Sequence, residues 1–252
     1  MRAMASCLQI AEETDRKITV YWENNNDCRA DFTELFQPVN LKWVNVKLFT
    51  NRNWYLSFSR KRNLYIPGIL RSFIFTSQIT GCSECLDTTI YKRIRGKRAY
   101  IISGYSLTTH YPLHQLFKPI PELQDIIDRQ ITGFGESVIG IHIRRGDNQQ
   151  SIQRNSMEDY IRFIKAELAV RPETRFYLAS DSLEIKQDLI GRFPDKILSR
   201  KAVLERYSLQ GMKDALVDLW CLAATKRIIG SYYSSYSDLA AELGGIDLTI
   251  PE

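Results

Sequence analysis

Histidine and cysteine are scarce in this sequence: three histidines (His110, His114, His142) and five cysteines are spread over 252 residues. An odd cysteine count in a chain this long argues against a disulfide framework and for a reducing compartment, so a cytoplasmic setting is expected. Cys82 and Cys85 have CxxC spacing. A structural zinc needs two further ligands at partner spacing, and Cys7, Cys28 and Cys221 are scattered. A redox pair would open the helix of a thioredoxin-like unit, which the neighbouring Thr80 and Gly81 do not establish. The pair reads as loop packing, and no metal site is expected. Long apolar runs are also missing; none approaches the roughly 18 residues of a membrane span. Glu12, Glu13 and Asp15 interrupt any charged-then-apolar leader. Strong charge bias is absent too, with 34 Lys and Arg against 29 Asp and Glu, a net charge of +5. That excess suits an anionic small molecule and falls short of the dense basic stripe of a nucleic-acid binder.

What is present is apolar content for real cores, 44% of the chain, at a length that fits one large domain or two modest ones. The first fifteen residues read as a helix already under way, with Met4, Leu8 and Ala11 at helical spacing. Strands are expected at 17–22, 41–49 and 99–103. The aromatic, basic region from 51 to 89 has no clear period. Trp43, Trp54, Tyr55 and Phe58 suit either sugar faces or core. A proline-marked connection, Lys118 to Pro121, leads into a helix through Leu123, Ile126, Ile127 and Ile131. From 137 onward strands and helices alternate: strand 137–143, a helix with capping-box spacing from Ser156 to Asp159, strand 175–179, a helix from Ser182, helix 209–224, strand 227–230 and helix 235–243. That alternation predicts a doubly wound parallel sheet with right-handed crossovers. No internal repeat or low-complexity segment is evident.

Chemistry concentrates where three of these strands end. The run from Ser137 to Asp147 (SVIGIHIRRGD) is a buried strand that turns polar at His142, Arg144, Arg145 and Asp147. Arginines at the carboxyl edge of an open α/β sheet stand where such folds bind ligands, and guanidinium forks grip phosphate oxygens in pairs. The second strand ends at Asp181, a carboxylate able to accept the adjacent N1–H and N2–H of guanine. The third ends in Ser231, Ser234, Ser235 and Ser237, ahead of a helix whose free N–H groups make an anion site. Plainer roles stay open for each. Arg144 or Arg145 suits an ion pair with Asp147, Asp181 a helix cap, Ser234 or Ser235 the cap of the last helix, and His142 a satisfied core position. Arg145-Gly146-Asp147 also spells an integrin-recognition tripeptide, a match common by chance.

The three stretches HIRRGD (142–147), FYLASD (176–181) and IIGSYYSSYS (228–237) together resemble the motifs of the GDP-fucose-dependent fucosyltransferase superfamily. That group includes α-1,2-, α-1,6- and protein O-fucosyltransferases, and the flavour is nearest to the bacterial nodulation type. The first half resembles it more loosely, through Arg2–Ser6 and the 17–22 strand. The resemblance implies a GT-B-like α/β fold, two Rossmann-like domains facing a cleft: 1–118 on the acceptor side and 119–252 binding the nucleotide sugar. It implies an inverting, metal-independent glycosyltransferase that needs no cofactor, uses GDP-fucose as donor and takes a glycan acceptor. It gives catalysis to Arg144, on the diphosphate, and to Arg145, which assists or structures the loop. It gives nucleotide binding to His142, Arg144, Asp181 (guanine), Ser234, Ser235 and Tyr236.

Two departures from the family pattern stand out. Relatives begin with a strand and a Gly-x-Gly-Asn-type loop, whereas this sequence starts inside the following helix, so the N-terminal domain is expected to lack its first strand. The loop after the arginines, Asn148 to Gln153, holds no carboxylate to act as base, leaving Asp147 and Glu23 as substitutes. A catalytically inactive GDP-sugar-binding protein is therefore the alternative, with an interaction protein using the Arg-Gly-Asp loop behind it.

Overall fold

A computed structural model of the chain describes residues 1–25, 28–48, 72–80, 90–94, 98–103, 106–108, 113–135, 137–146, 154–205 and 207–251. Cys82 and Cys85, Trp54 to Phe58, Asp147 and the 148–153 loop lie outside them. The chain divides into two compact units, Met1–Ile120 and Pro121–Glu252.

The first unit opens on helix α1 (Arg2–Glu13), which buries Met4, Leu8 and Ala11, the expected face. Strands β1 (Ile18–Trp22) and β2 (Val44–Leu48) pair in parallel, Ile18 opposite Val44. The second starts later than the sequence suggests because Val44 N–H bonds back to the Leu41 carbonyl, turning the chain there. Between them lies α2 (Phe32–Leu35), started by a capping box of Asp31 and Glu34. Trp22, Phe32, Phe36 and Phe117 form an aromatic cluster, with ring centroids 5.1 to 6.4 Å apart. A second parallel pair, β3 (Ser77–Thr80) and β4 (Ala99–Ile102), flanks α3 (Ile90–Arg93) in sequence. Helix α4 (Leu113–Leu116) follows. Trp43 is half-buried, with Lys42 Nζ 4.3 Å from its ring centre.

The second unit follows the expected alternation closely. Helix α5 (Pro121–Thr132) precedes β5 (Val138–Ile143), α6 (Met157–Val170), β6 (Arg175–Ser180), α7 (Leu183–Arg192) and β7 (Ile197–Leu198). Then come α8 (Leu209–Ala223), β8 (Ile228–Ile229), α9 (Ser235–Gly244) and β9 (Leu248–Thr249). All five strands are parallel, in the order β7-β6-β5-β8-β9. Counted from β5 this is 3-2-1-4-5, the doubly wound order whose direction of winding reverses between β5 and β8.

Strand β5 is buried along its whole length, so its pleat sorts side chains between two packed faces. Ile139, Ile141 and Ile143 join Tyr160 and Ile164 of α6, Leu189 of α7, and Phe176 and Leu178 of β6 in one apolar cluster. On the alternate positions, Gly140 lies under Leu222 and Thr225 at the end of α8, and His142 lies against α9. Helix α8 packs on β5, β6, α5 and α9. Among the described residues no helix is long and apolar enough to cross a membrane.

Candidate active site

The period of two along β5 decides the fate of its polar end. His142 is buried, its Nδ1 2.7 Å from Ser237 Oγ and its ring 4.8 Å from that of Tyr236. Ser237 Oγ also receives the Ser231 N–H at 3.3 Å. Arg144, two residues on, lines the same cavity as His142. Arg145 turns elsewhere, and its Nη2 donates to the Asn155 carbonyl at 2.5 Å, just ahead of α6. The arginine pair is thus divided: one guanidinium at the cavity, the other in the frame.

That frame is a set of hydrogen bonds between strand ends. Asp181, just past β6, accepts the Arg145 N–H on Oδ1 at 2.8 Å and the Gly146 N–H on Oδ2 at 2.9 Å. A side chain at Gly146 would place its Cβ 3.0 Å from Asp181 Oδ2, so the clamp favours glycine. Helix α7 takes its cap from Ser182 Oγ instead, which accepts from Ile185 N–H. Ser231 Oγ accepts the Arg144 N–H at 2.9 Å and donates to the His142 carbonyl at 3.1 Å, with Tyr160 Oη 3.0 Å away. Asn155, buried, donates to the Pro251 carbonyl and accepts the Tyr232 N–H, both at 2.6 Å. Motif spacing pointed to Arg145 and Asp181; it gave no sign of Asn155 or Tyr160, because their partners lie far away in sequence.

Beyond β8 the chain turns sharply into α9. Tyr233 adopts a left-handed φ of 52°, rare for a bulky side chain, and is exposed. Ser234 occupies the N-cap of α9, yet its buried Oγ makes no cap bond and has no hydrogen-bond partner among the described residues. Ser235 and Tyr236 line the cavity, and Tyr236 Oη donates to the Ala215 carbonyl at 2.6 Å. The cavity has a volume of about 490 Å³. His142 and Arg144 border it from β5, Asp181 from β6, Val203 and Tyr207 from the segment before α8, and Asp218 from α8 itself. It opens where the strand order reverses, the position at which such sheets take ligands.

Asp218 is the site residue that the motifs did not reveal. It belongs to a buried ionic cluster: Tyr177 Oη donates to its Oδ1 at 2.7 Å, Arg200 Nη1 lies 3.5 Å from Oδ1, and Lys186 Nζ lies 3.9 Å from Oδ2. Arg200 also pairs with Asp214, which accepts the Val203 N–H at 2.8 Å and so fixes the cavity wall. A signal was there to be read, since Asp214 and Asp218 sit four apart on a helix otherwise buried by Leu216, Val217 and Leu219. Burial holds the Asp218 carboxyl above the usual carboxylate range, and Lys186 and then Arg200 offset only part of that rise. Burial drives the His142 imidazole down to about 4, partly opposed by the Asp181 carboxylate and reinforced by Arg144. The ring is therefore neutral at pH 7. Among the described residues no group of three or more His, Cys, Asp or Glu is placed to hold a metal.

The architecture recurs in solved structures. The fold is one used by fucosyltransferases. NodZ α-1,6-fucosyltransferase soaked with GDP-fucose matches with a TM-score of 0.57 and 19% identity over 95% of this chain and 86% of that one; NodZ from Bradyrhizobium is among the matches. POFUT1 in complex with GDP matches at 0.52, with 10% identity over 98% and 93% of the two chains. A point variant of Arabidopsis thaliana FUT1 in complex with GDP matches at 0.54, with 13% identity over 99% and 67%. The fold agrees with the family that the three motifs resemble. No protein-family model and no curated protein sequence matches the chain.

Proposed function

We propose that this protein is a glycosyltransferase that moves fucose from GDP-fucose to a glycan acceptor with inversion at the sugar. The observation that carries the reading is the cavity at the reversal of the 3-2-1-4-5 sheet. It has Arg144 on one side and the start of α9, with Ser235 and Tyr236, on the other. GDP is the leaving group, and breaking the fucosyl–phosphate bond builds negative charge on its diphosphate. A preorganised guanidinium and the N–H groups of a helix start offset that charge without reorganising, and this pairing needs no metal. Arg144 is the catalytic contact, assisted by Ser234 and Ser235. Arg145 acts on the turn that aims it.

The His142 and Tyr236 rings, 4.8 Å apart and tilted against one another, give the nucleotide an aromatic neighbour. The family resemblance assigns guanine to Asp181. Each Asp181 oxygen holds one main-chain N–H and keeps a lone pair for a base edge, so Asp181 stays the guanine contact that the resemblance implies, and we add Asp218, the second carboxylate on the cavity wall, as a further base contact. Asp181 also keeps the turn. The chain is read as a two-domain GT-B enzyme, the second unit binding donor and the first serving the acceptor, and the unbridged Cys7, Cys28 and Cys221 suit a reducing, cytoplasmic setting.

Melting temperature measured with GDP, UDP and ADP tests the donor. GDP is expected to stabilise and the other two to do little, and a melting temperature indifferent to GDP overturns the reading. Incubation with GDP-fucose and a glycan panel tests transfer, with the anomeric configuration of the product by NMR reporting inversion. GDP binding without product on any acceptor would reduce the protein to a GDP-sugar binder.

A further inference from the structure

Lys186 is an unusual side chain for its place. It lies on the first turn of α7, it is 4% exposed, and its Nζ has no hydrogen-bond partner among the described residues. Its nearest opposite charge is Asp218 Oδ2 at 3.9 Å, inside ion-pair range and beyond hydrogen-bond range. Burying an ammonium with so little direct compensation is costly: burial pushes Lys186 below its ordinary value, and the Asp218 carboxylate is the main group that opposes this.

A charge count over the cluster gives the compensation. Lys186 and Arg200 are two cations; Asp214 and Asp218 are two anions. Asp214 is held by Arg200 and the Val203 N–H; Arg200 also reaches Asp218 Oδ1 at 3.5 Å, so one guanidinium is shared by both carboxylates and Lys186, on Oδ2, is the second cation that balances the pair. The other groups that face Asp218 are Tyr177 from β6, Cys221 on its own helix and Tyr236 from α9. None of these carries a positive charge. Removing the Lys186 charge would leave one guanidinium among two buried carboxylates. The cheapest remedy is protonation of Asp218, because Asp214 keeps the close Arg200 contact and the Val203 N–H. A protonated carboxyl accepts poorly and has a proton where a base N–H would need a lone pair.

We propose that Lys186 is a positioning residue for the base end of the cavity, holding Asp218 as a carboxylate so that it accepts hydrogen bonds from a nucleobase edge. This rests on the GDP reading for the identity of the base and on the ion-pair geometry for the rest. Lys186 itself is not among the residues that border the cavity.

The test follows the Asp218 side-chain carboxyl carbon by NMR as pH is varied, without ligand, in the wild-type protein and in Lys186→Met. Asp218 should be ionised at pH 7 in the wild type, and its titration should move up by at least about one pH unit in the variant, a tenfold change in proton affinity. A wild-type Asp218 protonated at pH 7 would overturn the assignment even if Lys186→Met failed to fold, and so would an unmoved titration in a folded variant. GDP affinity then provides the second arm. Lys186→Met should lose about tenfold or more relative to wild type near pH 6 and recover part of that by pH 8.5, whereas wild type stays level. If the wild type ignores GDP while the carboxyl titration still moves, the nucleotide reading fails and the role of Lys186 stands.

Discussion

Asp181 and Arg145 are joined through the main chain and not through their charges. The carboxylate takes the Arg145 N–H on one oxygen and the Gly146 N–H on the other, while the guanidinium is spent on the Asn155 carbonyl. An aspartate one strand away thus fixes the turn that follows β5. Arg144 gains a set direction from two sides, since its own N–H is held by Ser231 Oγ.

Asp181→Ala should therefore lower stability by about 1–3 kcal/mol, the cost of leaving bonded donors without their charged acceptor. Chemical denaturation measures this. GDP and IDP, which lacks the 2-amino group of guanine, should both weaken in Asp181→Asn, because the turn is damaged. Asp218→Asn should instead reduce the preference for GDP over IDP at little cost to binding IDP.

Arg144→Ala should weaken GDP binding about 10- to 100-fold, the value of one or two charge-assisted hydrogen bonds, and lower turnover by about 10² to 10³. The melting temperature without ligand should hardly change. Arg144→Lys should recover little, because a point ammonium cannot replace the fork. Calorimetry against GDP gives the binding arm directly.

His142 predicts acid sensitivity with a defined window. Above pH 6.5 the ring is neutral in both folded and unfolded chains and adds no pH dependence. Between 6.5 and about 4 the unfolded chain takes up a proton that the buried ring refuses, so stability is lost as pH falls, by about 3 kcal/mol in all. Denaturation midpoints from pH 7.5 to 4 should show that slope, and His142→Gln should flatten it.

Asn155→Ala should cost about 2 kcal/mol or more, because it strips partners from the Pro251 carbonyl and the Tyr232 N–H together. Its effect on GDP binding should be larger than its distance from the cavity suggests, through the loosened Tyr232–Ser234 turn. Hydrogen exchange at Tyr232 N–H reads the loss locally.

The fold of the second unit was largely legible in the chain. Val138 to Ile143 is apolar on both faces, and Ser156 and Ser182 announce the helices that they cap. Such signals are local, so period and capping chemistry reveal them. The break at Arg144 and Arg145 was equally visible, and it falls where β5 ends and Arg144 borders the cavity. The division of work between the two arginines was not, because it depends on where Asn155 lies after the chain has folded back. Asp181 looked like either a helix cap or a base reader, and its bonds to Arg145 and Gly146 cross 36 and 35 residues.

Sequence alone thus determined that a parallel sheet ends in cations, a carboxylate and a serine-led helix, since alternation, burial and capping are properties of short segments. Tertiary structure alone decided which of those groups remain for a ligand. Strand order 3-2-1-4-5 brings β5 beside β8, and the main-chain groups left open at those strand ends must be bonded. Asp181, Ser231, Arg145 and Asn155 satisfy them. Arg144, Asp181, Ser235, Tyr236 and Asp218 border the cavity, Ser234 is the N-cap of the helix beside it, and Lys186 is a buried charge 3.9 Å from Asp218.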